Sequence, residues 1–215
     1  MPVDVKICGL STPETVDAAI AAGAGLVGFV FYPRSPRNVT IAQAARLAAL
    51  ARGKARIVAL VVDADNDLLM SIIRAVDPDL IQAHGAETPE RIGAIARLTG
   101  KPVIKAIKVK DAADVAAASA YSHVASLILY DAKAPESLKG ALPGGNGLSF
   151  DWSLLGDGGR PAFMLSGGLT PENVADGIRI TGAPLVDVSS GVESAPGIKD
   201  IGLIRKFVEA AKSAS

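Results

Sequence analysis

The sequence predicts a single-domain α/β chain, residues 1–215, folded as a closed (β/α)8, or TIM, barrel. Three observations carry that expectation. Eight short apolar runs recur at fairly even spacing along the 215 residues. Amphipathic stretches with helix-start signals lie between most of them. No GxGxxG follows the first run, which weakens the competing architecture, a doubly wound open sheet with a nucleotide site. The length suits one sizeable core.

The runs are VKIC (5–8), LVGFVF (26–31), IVALVV (57–62), LIQAH (80–84), VIKAI (103–107), SLILYD (126–131), AFMLSG (162–167) and LVDVSS (185–190). Each has strand length, and continuous apolarity fits parallel strands covered on both faces. Helices are expected at about 12–22, 41–51, 66–76, 89–99, 112–120, 172–181 and 199–212. Their starts are marked by Ser11-Thr12-Pro13-Glu14, Thr88-Pro89-Glu90 and Thr170-Pro171-Glu172, and by acidic caps at Asp65 and Asp111. The sixth helix is the hard one, with at most a short turn from Asp151-Trp152-Ser153. Residues 132–149, rich in glycine and proline, form a long loop of the kind that is usually functional in a compact barrel.

Composition narrows the partners. Lys+Arg and Asp+Glu are both 22, so the formal net charge is zero and no nucleic-acid face is implied. A small-molecule anion remains compatible, because one pocket can be basic on a neutral protein. One cysteine cannot form an internal disulfide, which fits a reducing, cytoplasmic setting. There is no signal-peptide pattern and no run of about 18 apolar residues, so no membrane partner is expected. The mean hydropathy of +0.34 comes from Ala, Val, Ile and Leu spread along the chain.

In such a barrel, chemistry sits where strands end and βα loops begin. Those points collect Cys8, Arg34 to Arg37, Asp63, His84, Asp131, Ser166-Gly167-Gly168 and Ser189-Ser190-Gly191. Glycine lets the backbone approach a ligand, and successive N–H groups form anion nests. Gly167 and Gly168 after strand seven, and Ser189, Ser190 and Gly191 after strand eight, stand where phosphate binds in this fold. Gly145 and Gly147, within Gly144-Gly145-Asn146-Gly147, could close a third side. Each glycine pair taken alone also reads as an ordinary turn. Arg37 could fork onto a carboxylate or phosphate, or be a solvated loop charge. Cys8 and Asp131 come from opposite sides of the mouth and could reach both ends of a small substrate as base and acid. Buried Cys is also common as filler, and Asp131 could cap a loop. His84 reads more simply as a hydrogen-bonding group than as a catalyst. No metal-ligand spacing is present.

These motifs together resemble phosphoribosylanthranilate isomerases of tryptophan biosynthesis. The likeness runs from Val5 to about Asp200 through KICGL (6–10), GFVFYPRSPRNV (28–39), IQAHG (81–85), GGNGLSFDW (144–152), LSGGLTPENV (165–174) and VDVSSGVESAPGIKD (186–200). Ser11 and Ala83 depart from the usual threonine and leucine. The resemblance implies an Amadori rearrangement of N-(5-phosphoribosyl)anthranilate, with Asp131 as general acid and Cys8 as general base. It implies Arg37 on the anthranilate carboxylate, His84 in the substrate site and the glycine loops on the phosphate. It implies no cofactor and no metal. A monomer or weak homodimer is expected. The alternatives are another sugar-phosphate barrel, such as an epimerase or the histidine-pathway Amadori isomerase, and a catalytically silent phosphate binder.

Strand alternation adds one expectation from the residues themselves. Lys6 shares the face of Cys8, one step deeper, and Asp187 shares the face of Ser189. Strands one and eight are neighbours in a closed barrel, so Lys6 and Asp187 should pair beneath the thiol. The ammonium should then lower the thiol pKa.

Overall fold

The computed structural model describes residues 3–134, 142–156 and 162–214. Eight parallel strands close into a barrel in sequence order: β1 (Asp4–Cys8), β2 (Leu26–Phe31), β3 (Arg56–Val61), β4 (Leu80–Ala83), β5 (Val103–Val109), β6 (Leu127–Ala132), β7 (Phe163–Leu165) and β8 (Leu185–Val188). Helices α1 (Pro13–Ala22), α2 (Ile41–Ala51), α3 (Asn66–Val76), α4 (Pro89–Thr99) and α5 (Ala112–Ala117) follow the first five strands, with α6 (Val174–Thr181) and α7 (Ile201–Ser213) after β7 and β8. After β6 the described residues give only one 3₁₀ turn, Trp152–Leu155, capped by the Asp151 side chain.

Thr12, Asp65, Thr88 and Asp111 act as the expected caps, and Thr170 does not. Thr12 and Thr88 accept from Thr15 N and Arg91 N, and proline follows each at the first helical position. Several boundaries differ from the sequence expectation: α5 ends at Ala117 and passes into a 3₁₀ turn over Ala118–Tyr121, and β7 and β8 stop short of 167 and 190. α6 starts at Val174 rather than 172, because the Asn173 amide ties back to Thr170 N and Gly168 O and closes a turn first. Residue 199 belongs to a strand rather than to the last helix. Residues Glu193–Ala195 (β9) and Ile198–Lys199 (β10) form a small antiparallel hairpin across Pro196-Gly197, with Gly197 at φ 83°.

Alternation divides the barrel residues cleanly. Side chains such as Val5, Ile7, Val27, Phe29 and Val186 point outward and join the helices in the main core. Leu26, Val58, Leu80, Ile104, Leu129 and Met164 fill the barrel interior at its lower end. Cys8, Val30 and Leu60 form a smaller layer above. Between these layers lies Lys6, fully buried.

Candidate active site

A cleft opens at the C-terminal ends of the strands, enclosing about 730 Å³ of empty space, part of it open to solvent. Cys8, Arg37, His84 and Asp131 line it, as do Gly145, Gly147, Gly167, Gly168, Ser189 and Ser190. The structure therefore brings together most of the residues singled out from the sequence. Gly191 is the exception among the glycines: it packs against the Leu169 carbonyl, with no room for a Cβ, and holds the loop after β8 against the loop after β7. Asp63, another strand-end residue, accepts from Ala86 N and shapes the loop after β4. Arg34 does not line the cleft.

Cys8 ends β1 and faces inward. It is buried beside Gly28 of β2, whose register partner it is. A Cβ on Gly28 would lie 3.0 Å from Cys8 Sγ and 3.1 Å from Lys6 Nζ, so only glycine leaves the thiol and the ammonium their present room. Lys6 and Asp187 are register partners on β1 and β8, and their side chains meet at 2.8 Å. Ser166 Oγ gives the same carboxylate a second hydrogen bond at 3.1 Å. The pairing matches the expectation from alternation. The net effect on the thiol does not. Burial pushes the Cys8 pKa up, Lys6 pulls it down, and Asp187 pushes it up again; burial dominates and the thiol titrates above its ordinary value. For Lys6, burial works against the charge, but Asp187 and Cys8 outweigh it and the ammonium is held protonated.

Asp131 ends β6, on the other side of the mouth. Its Oδ1 accepts from Ala132 N at 3.0 Å, and its Oδ2 lies 3.1 Å from His84 Nε2. Gln82 Nε2 lies 3.0 Å from His84 Nδ1. An amide nitrogen can only donate, so Nδ1 accepts, Nε2 carries the hydrogen, and the imidazole donates to Asp131. Gln82 Oε1 is buried with no hydrogen-bond partner among the described residues. His84 therefore sits inside the site, bonded to Asp131, and not at its margin.

Arg37 is held more tightly than a loop charge. Its Nε and Nη2 donate to the two oxygens of Glu193 at 2.7 and 2.8 Å, and Nη2 also reaches Gly145 O at 3.2 Å. Lys199 Nζ donates to Glu193 Oε1 at 2.6 Å and to Ser189 O at 2.9 Å. Burial raises the Glu193 pKa, but Arg37 and Lys199 outweigh it and the carboxylate stays ionised. Burial lowers the Lys199 pKa, only partly offset by Glu193. Reasoning from sequence missed Glu193, Lys199 and Gln82. The Pro-Gly between ESA and IK was the available signal for the hairpin that carries the first two.

Comparison with known proteins decides the family. The family model for N-(5'-phosphoribosyl)anthranilate isomerase matches residues 5–210. The chain belongs to this isomerase family. An N-(5'-phosphoribosyl)anthranilate isomerase from Rhizobium meliloti strain 1021 is 53% identical, covering 100% of this chain and 99% of that protein. The crystal structure of phosphoribosyl anthranilate isomerase from Thermotoga maritima has a TM-score of 0.85 at 35% identity, covering 98% of this chain and 99% of that one. A further isomerase structure was determined in complex with reduced 1-(o-carboxyphenylamino)-1-deoxyribulose 5-phosphate; its TM-score is 0.84 at 34% identity, over 98% and 99% of the two chains. The closed eight-stranded barrel is thus the fold of the isomerase family, and the chain is an enzyme of that family. Among the described residues, no helix is long and apolar enough to cross a membrane.

Proposed function

We propose that the chain isomerises N-(5'-phosphoribosyl)anthranilate to 1-(2-carboxyphenylamino)-1-deoxyribulose 5-phosphate, a step of tryptophan biosynthesis, by acid–base catalysis between Asp131 and Cys8. The carrying observation is that Cys8 and Asp131 stand across one cleft, three strands apart around the barrel, with Arg37 and glycine-rich loops on its rim. Asp131, with His84 bonded to it, gives a proton to the furanose ring oxygen. The bond from that oxygen to C1 breaks, and the anthranilate nitrogen lone pair forms a C1=N iminium. The iminium acidifies the C2 hydrogen, which Cys8 removes as thiolate. The resulting enolamine takes a proton at C1 as its C2 hydroxyl gives one up to the Asp131 carboxylate, and becomes the ketone, so atoms and charge balance and no cofactor enters. The ammonium of Lys6 beneath Cys8 favours the thiolate that this step needs.

Arg37 binds the anthranilate carboxylate, and the loops at Gly145, Gly147, Gly167, Gly168, Ser189 and Ser190 take the phosphate, with Gly191 fixing the loop after β8. The test follows the fluorescence loss of phosphoribosylanthranilate with the native chain, Cys8→Ser and Asp131→Asn. Each variant should lose about 10²- to 10⁴-fold in kcat. Preferred turnover of the histidine-pathway substrate, or near-native rates in either variant, would overturn the assignment.

A further inference from the structure

Glu193 and Lys199 are buried charges that the acid–base scheme does not use. Neither lines the cleft. They stand behind Arg37, on the hairpin β9–β10, and they join two loops that the proposed reaction needs. Glu193 grips Arg37 from the side, occupying Nε and one of the two terminal nitrogens. The guanidinium can then turn only its Nη1 corner toward the cleft. Gly145, on the loop facing it, leaves room for that atom: a Cβ there would lie 2.6 Å from Nη1. Gly197 N donates to Glu193 Oε2 at 3.2 Å, so the hairpin turn itself orients the carboxylate. Lys199 contacts the other carboxylate oxygen and both oxygens of Ser189, whose hydroxyl donates to the Cys8 carbonyl at 3.1 Å.

Charge explains why three groups are present. Arg37 and Glu193 alone would be neutral and would offer an anion no net attraction. Lys199 restores one positive charge to the cluster while also keeping Glu193 ionised in a buried place. We infer that Glu193 is a positioning residue for Arg37, aiming its guanidinium at the substrate carboxylate, and that Lys199 couples this carboxylate subsite to the Ser189 loop at the phosphate end. The inference rests on the reading that Arg37 binds the anthranilate carboxylate.

Two inhibitors separate the possibilities: reduced 1-(o-carboxyphenylamino)-1-deoxyribulose 5-phosphate, and its counterpart lacking the carboxyl group. Glu193→Gln should weaken the carboxylated inhibitor by about ten- to a hundredfold, the scale of a misplaced binding group, and leave the other unchanged. Lys199→Met should weaken both, because it also releases the Ser189 loop. Glu193→Asp keeps the charge at shorter reach and should fall between; it carries the test if Glu193→Gln does not fold. Equal losses for both inhibitors in the Glu193 variants, or no loss, would overturn the inference. Arg37→Met is the control. If it fails to discriminate the inhibitors, the carboxylate reading itself is wrong. If it discriminates and the Glu193 variants do not, only the positioning role fails.

Discussion

Replacing Lys6 with methionine removes the positive charge that lowers the Cys8 pKa most among the described residues. The structure gives the size of that loss. Cys8 Sγ and Lys6 Nζ lie 3.0 and 3.1 Å from a single point, the empty Cβ position of Gly28, so no more than about 6 Å separates them. At an effective dielectric of about 20, unit charges at that distance attract by about 3 kcal/mol, which favours the thiolate. Burial already holds the thiol above its ordinary value. Lys6→Met should move it further up, leaving less thiolate at any pH below the pKa. Cys8 is the only cysteine, so the pH dependence of iodoacetamide labelling reads its ionisation without background. The alkaline limb of kcat/KM should shift with it. Stability is a separate matter. Lys6→Met strands the Asp187 carboxylate, 4% exposed, with Ser166 as its remaining hydrogen-bond donor among the side chains described. Breaking a buried pair costs about 3–5 kcal/mol. Lys6→Met/Asp187→Asn should recover much of that stability without returning the labelling profile to that of the native chain. An unchanged profile in Lys6→Met, or a fully native profile in the double variant, would refute the electrostatic reasoning.

Gly28→Ala should lower kcat by about tenfold or more through crowding of Cys8 and Lys6, while the Ki of inorganic phosphate stays native. Gln82→Met should separate activity from stability. It removes a buried carbonyl that has no hydrogen-bond partner among the described residues, a defect costing about 1–3 kcal/mol, so denaturant stability should hold or rise. Turnover should fall all the same, because nothing then fixes the His84 tautomer that donates to Asp131. Glu87 is buried against Lys105 at 2.8 Å and also accepts from Asp63 N and Gly85 N. Burial raises its pKa, but Lys105 and the backbone donors outweigh it, and the folded value lies below the ordinary 4.5. Its stabilisation is therefore complete above the unfolded value and fades as pH falls through the folded one. Denaturation between pH 6 and 3 should show this loss in the native chain and a flatter profile in Glu87→Gln.

The parts of the site that were legible in the sequence are those governed by a period. Eight apolar runs place eight strand ends, and a repeat of two along each strand tells which residues face inward. That rule, with barrel closure, is enough to bring Lys6 to Asp187 across 181 residues of chain. The proposed base, acid and carboxylate ligand rest instead on the resemblance of whole motifs, since Cys8, Asp131 and Arg37 each have an ordinary structural reading. Beyond the strand ends no period operates. Arg37, on the loop after β2, and Glu193, at the start of β9, meet across 156 residues of chain, and nothing in either local pattern links them. The net direction of the thiol pKa is not legible in the sequence for a related reason. A neighbouring charge can be located by counting along a strand, but the burial that outweighs it depends on how Val30, Leu60 and the surrounding loops pack over Cys8. The consequence for catalysis is concrete. A buried thiol held above its ordinary value is a strong base once ionised and a rarely ionised one at rest. In the proposed scheme the iminium forms first, so that the acidified C2 hydrogen and the cation beside the thiol both act at the moment the proton must move. On that ordering, Asp131→Asn should stop proton exchange at C2 as well as ring opening. C2 hydrogen–deuterium exchange continuing in that variant would show that Cys8 works without the iminium.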